Sequence, residues 1–150
     1  MNKKQMEKYI REAEVQIKVR QILSLDTEKL YTTQQIAEMY EVKEESVRNI
    51  VRSCEPEFAG DSINNDNIIL KNCALYTKDV VKKVGMMLEG SEVAKLLRTT
   101  ILDMYFGTIK EPKYTKLNKE QLNELMNEAF VRKNYLLAQE FCMQALKKNI

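Results

Sequence analysis

The chain has 150 residues, 44% of them hydrophobic and 31% charged, with four Gly and two Pro, a balance that excludes disordered and fibrous classes and predicts a helix-rich globular protein. No apolar run approaches the roughly 20 residues of a membrane span, and the basic start is followed by no apolar leader core, so a cytoplasmic protein with no membrane partner is expected. The absence of His, three scattered Cys (Cys54, Cys73, Cys142) and a net charge of only +2 argue against an enzyme, a metal site or a disulfide framework, and leave any nucleic-acid binding to local charge placement.

From Lys3 to Leu25 there is no Gly or Pro, and Met6, Ile10, Ala13 and Ile17 recur at helical spacing, which predicts a long amphipathic helix. Val15, Val19 and Ile22 form a second apolar set. Either the two sets make one broad core-facing stripe, or one packs on the next domain and the other on a partner subunit.

Thr32 stands three residues before Gln35, the spacing of a capping box, and predicts a short helix through Ile36, Ala37 and Tyr40. Glu41-Val42-Lys43 interrupts it, and a second helix runs from Glu44 to about Ser53, ended nearby by Pro56. In a helix-turn-helix unit the first helix needs a small residue where the second crosses, and Ala37 supplies it. Ile36, Tyr40, Val42, Val47 and Ile50 fill the apolar slots, while Glu41 stands where the turn usually has Gly. With Val47 and Ile50 inward, the second helix offers Ser46, Arg48, Asn49 and Arg52, preceded by Lys43. Arg pairs bidentately with guanine and Asn with adenine, while Ser, Thr and Lys hold phosphates or bases. Thr33 and Gln34 at the start of the first helix complete the candidate DNA contacts. Glu44 and Glu45 would repel a phosphate backbone, yet they also suit a helix N-terminus. A DNA-reading unit and a scaffold that never touches DNA therefore both stay open.

Beyond Gly60, β-branched residues flank an Asn/Asp cluster: Asp61-Ser62-Ile63, then residues 64–67, then Ile68-Ile69-Leu70-Lys71. That pattern predicts a short β-hairpin, a wing that brings Lys71 to the DNA. Thr77 is placed to cap a helix through Val80, Val81, Val84 and Leu88. Gly90-Ser91 then breaks the chain before a helix through Val93, Leu97, Ile101 and Leu102. Residues 107–117, with Pro112, read as a linker. Two further helices follow, joined at Lys133-Asn134, one carrying Leu122, Leu125, Met126, Ala129 and Phe130, the other Leu137, Ala138, Phe141, Cys142 and Ala145.

The segments Tyr31–Val42, Ser46–Ile50, Leu75–Val81 and Ser91–Arg98 resemble phage and prophage DNA-binding proteins of the antirepressor and RhuM-like kind. The resemblance covers about Leu30 to Met104. It implies a bacteriophage or mobile-element origin, a winged helix-turn-helix module and a regulatory role, with Ser91 and Arg98 in a recurring helix that serves packing. Leu125, Ala129, Asn134-Tyr135, Ala138, Cys142 and Ala145 are similar to one tetratricopeptide repeat. A single copy does not make a solenoid, so the tail reads as an ordinary helical hairpin for dimerisation or docking. Met126, Phe130, Phe141 and Met143 could line its partner groove, although such a stripe also suits a core.

The expected architecture is mainly α: a winged helix-turn-helix with a short β-hairpin and a C-terminal helical hairpin. Its pieces are an N-terminal helix (1–25) for packing or dimerisation, a winged domain (26–106), a linker (107–117) and the hairpin (118–150). The expected function is that of a transcriptional regulator that binds double-stranded operator DNA as a homodimer, without cofactor. The alternative is an antirepressor or counter-defence protein that binds a host or phage protein through its helical tail.

Overall fold

A computed structural model describes residues 1–53, 62–63 and 75–148. Among these residues the chain is mainly helical. It forms α1 (Lys3–Leu23), α2 (Thr33–Tyr40), α3 (Glu44–Ser53), α4 (Lys78–Met87), α5 (Glu92–Phe106), α6 (Lys119–Val131) and α7 (Tyr135–Lys147), with a 3-10 turn at Lys113–Lys116. Pro56 and Lys71 lie outside the described residues. No described helix is long and apolar enough to cross a membrane.

The winged fold is corrected. Among the described residues the β-structure is a single Tyr31–Tyr76 bridge and a two-residue ladder in which β1 (Ser62–Ile63) pairs antiparallel with β2 (Leu75–Tyr76), Ser62 opposite Tyr76 and Ile63 opposite Leu75. A tight hairpin turning on the Asn cluster sets Ile63 against Ile68, whereas Ile63 stands opposite Leu75. The partner strand is decided by what is anchored. Tyr76 is buried and exchanges both backbone bonds with buried Tyr31, at 2.8 and 2.9 Å, whereas the β-branched run after residue 67 offers only a generic strand preference.

The chain divides into two compact units, one of residues 1–17 and 109–150, the other of residues 18–108. The N-terminal helix is thus not a separate piece as expected, because its first residues belong with the C-terminal hairpin. In the unit built from both chain ends, Ile10 and Ala13 share a core with Leu122, Leu125, Leu137 and Phe141, and Met6 and Ile17 pack against it. In the other unit Val19 and Ile22 are buried. Both apolar sets of α1 therefore pack within the chain.

The expected linker is also corrected in part. Tyr114 lies in its middle and is completely buried. Its N–H donates to Glu12 at 2.9 Å, its hydroxyl donates to the buried Glu140 at 2.9 Å, and its ring meets Phe141 edge-on at 5.7 Å. A buried phenol needs a hydrogen-bond partner, and α7 supplies one. Asn118 and Gln121 then start α6 with a capping box. Lys133 takes a left-handed conformation (φ 58°), and the bonds Asn134 N–H to Ala129 and Lys133 N–H to Phe130 close a Schellman turn into α7.

Beside that turn, Arg132 ends α6 with its guanidinium on Glu7 and Glu128. The hydrogen bond from Arg132 holds the Glu7 carboxyl below its ordinary range. A lowered carboxyl stabilises the fold above its unfolded value and loses that contribution as pH falls through its folded one. Glu7→Gln is accordingly expected to flatten the acid side of the thermal stability profile as pH falls below the ordinary carboxylate range.

Candidate nucleic-acid interface

The helical pair α2–α3 is fixed at its start, at its turn and along its inner side. At the start, Thr32 Oγ1 accepts the Gln35 N–H at 3.1 Å and Gln35 Oε1 accepts the Thr32 N–H at 2.8 Å, the reciprocal bonds of the capping box. At the turn, Glu41 adopts the left-handed region (φ 57°), which normally favours Gly. The Val42 N–H reaches Ala37 O at 3.0 Å and the Glu41 N–H reaches Glu38 O at 3.3 Å, so α2 ends in a Schellman turn built on a glutamate. Lys18 of α1 braces it, donating to Glu38 O at 3.1 Å and pairing with the Glu41 carboxylate at 3.5 Å.

A left-handed L-residue costs about 1–2 kcal/mol, more than an exposed ion pair returns. Glu41→Gly is therefore expected to raise stability by about 1 kcal/mol in urea denaturation. A loss of stability would contradict the turn described.

Along the inner side Ile36, Ala37, Tyr40 and Val47 are buried, with Val42, Ile50 and Val51 half-buried. Tyr40 is the anchor. Its hydroxyl donates to Val81 O of α4 at 2.6 Å, and its carbonyl accepts the hydroxyl of buried Ser91 at 2.7 Å. Burial pushes the phenol well above its usual range. Ser91 Oγ in turn accepts the Ala94 N–H at 3.1 Å and so starts α5. Arg98 donates to Gly85 O at 2.9 Å and Leu88 O at 2.8 Å, satisfying carbonyls that the end of α4 leaves without helical partners. Ser91 and Arg98 thus hold the base on which α2 rests. Thr77 departs from its expected role: it sits at the N-cap of α4 without a capping bond.

The outer side of α3 carries Glu45, Arg48, Asn49, Arg52 and Ser53, all exposed, and Lys43 precedes them, also exposed. Ser46 is half-buried at the margin of this face. Arg48 is paired with Glu44 at 3.0 Å, both side chains about half exposed, and Ser53 Oγ turns back to Asn49 O at 2.8 Å. Thr33 is half-buried at the start of α2; Gln34 is exposed and donates to Glu38 at 3.4 Å. The expected residues of α2 and α3 therefore lie on one compact helical pair, while Lys71 falls outside the description. Sequence reasoning weighs Glu45 as a helix starter and as a repellent of phosphate, and leaves it off the reading face. Stepping 100° per residue from Arg52 and Asn49 places it in the middle of the same face.

Of the expected partner residues, Phe141 is corrected: it is fully buried against Tyr114. Met126 is half-buried against the same core, and Phe130 is exposed beside Tyr135, ring centroids 6.3 Å apart. Comparison with known proteins gave no family model, no curated relative and no solved structure that matches this chain.

Proposed function

We propose that the chain is a transcriptional regulator that reads operator DNA as a homodimer, with α3 in the major groove. The observation that carries this reading is the two-sided character of α3. Val47 locks one side to a base held by Tyr40, Ser91 and Arg98, while the opposite side presents Arg48, Asn49 and Arg52 together. Rigid support matters because bidentate base contacts tolerate little misplacement. In this reading Lys43 and Ser46 contact the backbone. Thr33 and Gln34 offer N–H groups at the positive end of α2, where a phosphate is favoured. The resemblance of Tyr31–Val42 and Ser46–Ile50 to phage regulators supports a phage or mobile-element origin and action in the cytoplasm.

Charge shapes the affinity. Between residues 32 and 53 the chain carries Lys43, Arg48 and Arg52 against Glu38, Glu41, Glu44 and Glu45, so counterion release is modest and recognition leans on base contacts. Glu44 holds Arg48 and faces the approaching phosphates. Glu44→Gln is expected to tighten DNA binding by about two- to five-fold in a mobility shift at fixed salt, since an exposed ion pair of this kind is worth at most about 1 kcal/mol. Weaker binding by this variant would mean that α3 does not meet DNA. The direct test is the paired variant Arg48→Ala with Arg52→Ala in a salt-titrated mobility shift, which should abolish sequence-specific binding.

A further inference from the structure

The C-terminal hairpin carries an exposed apolar face that its own core does not use. Phe130 and Val131 close α6, and Tyr135, Leu136, Met143 and Leu146 lie along α7, each at least half exposed. On α7 these four fall on one side, opposite the buried Leu137, Ala138, Phe141 and Ala145. The other exposed member of that side before Lys147 is Gln139. The one carboxylate of the helix, Glu140, is turned inward to the Tyr114 hydroxyl. A surface helix normally places charge on its solvent side, and an apolar patch of this extent marks an interaction site.

We propose that this face binds a second copy of the chain, α7 against α7 in antiparallel two-fold symmetry. Two observations favour that occupant. The six residues leave open on the order of 700 Å² of mostly apolar surface, close to the roughly 800 Å² that each partner contributes to a stable interface of standard size. Between Tyr135 and Leu146 the face carries no exposed charge, and Lys147 adjoins it at the last turn of α7. An acidic or basic partner finds little counter-charge, and antiparallel pairing keeps the two copies of Lys147 at opposite ends, without like-charge conflict across the axis. Antiparallel pairing sets Leu136 against the partner copy's Leu146 at both ends, with Gln139 and Met143 between them. The dimer so formed is the one that the proposed function calls for.

The test is sedimentation equilibrium of the full chain without nucleic acid. Surface substitutions are the right tool, because truncation of the hairpin would strip the core from Ile10 and Ala13. The wild-type chain should sediment at twice its chain mass. Leu136→Glu with Leu146→Glu should raise the dimer dissociation constant at least about 100-fold with helix content unchanged, and Leu136→Lys with Leu146→Glu should recover at least about ten-fold of that loss by opposing unlike charges across the axis. A wild-type monomer at about 100 μM, a double-glutamate variant that associates like wild type, or no recovery in the charge-paired variant would overturn the proposal. A monomer that still selects DNA would leave the DNA reading standing, and a dimer that selects none would leave this one standing.

Discussion

Replacing Gly85 by alanine is expected to destabilise the chain by about 2 kcal/mol, although alanine is the better helix former by about 1 kcal/mol. Gly85 lies inside α4, and a Cβ there would sit 2.3 Å from the Tyr40 hydroxyl oxygen, 2.7 Å from Tyr40 Cζ and 2.7 Å from Leu97 Cδ2. None of these atoms is the loose end of a surface side chain: Tyr40 and Leu97 are both fully buried. To make room the phenol must swing away from Val81 O and loosen the contact that seats α2 on α4. The sign of the effect is therefore diagnostic. A stabilised Gly85→Ala variant in urea denaturation would mean that propensity governs this position and that Tyr40 is not packed as described. A double-mutant cycle sharpens the point, since Tyr40→Phe removes the nearest obstructing atom. The double variant should lose about 1 kcal/mol less than the sum of the two singles.

The second large effect is on recognition. Arg48→Ala with Arg52→Ala is expected to cost about 2–5 kcal/mol of specific DNA binding, given about 1–3 kcal/mol for each bidentate base contact. That is enough to bring a specific site close to the background of non-specific binding. The fold should be unaffected, because both side chains are exposed and the inner side of α3 is held by Val47. The two arginines should differ when changed singly. Arg48 must leave Glu44 before it can donate to a base, so its loss costs more in a chain that also carries Glu44→Gln than in the wild type. Equal affinity and equal discrimination in wild type and double variant, measured across a salt series, would place the interface elsewhere.

What could be read from the amino-acid order depended on how local the signal was. The capping box of Thr32 and Gln35 and the turn at Lys133-Asn134 lie within a few residues of chain and were legible, as was the helical spacing of the apolar residues. The inward role of Ile36, Ala37, Tyr40 and Val47 followed from the small and apolar slots that a helix-turn-helix unit requires. Features set by distant partners were not legible. Tyr114 looked like linker because Pro112 and Gly107 flank it, and only its bonds to Glu12 and Glu140 place it in a core. Phe141 read as either groove or core, and the Tyr114 ring decided for core. The strand partner of Ile63 was misassigned because β-branched residues after the Asn cluster outweighed, on propensity alone, a tyrosine pair anchored 45 residues apart (Tyr31 and Tyr76). The face of α7 left a trace in the seven-residue spacing of Leu136 and Met143. It was hidden by the richer apolar set on the opposite side of the same helix.

Glu41 shows how a departure from pattern can be absorbed. The expected Gly is missing, yet the turn keeps its left-handed geometry and Schellman bonds, braced by Lys18 from another helix. A residue-type mismatch at one position therefore says little about backbone shape when the surrounding bonds over-determine it.

The most direct test of DNA recognition is selection of bound fragments from a random or self-genomic DNA pool by the purified full chain. The account predicts enrichment of one shared sequence made of two related half-sites, about 10–10.5 base pairs apart centre to centre or a multiple of that. It also predicts that the enrichment disappears when Arg48 and Arg52 are both changed to alanine. A pool recovered no richer than the input, or one enriched equally by that variant, would contradict it.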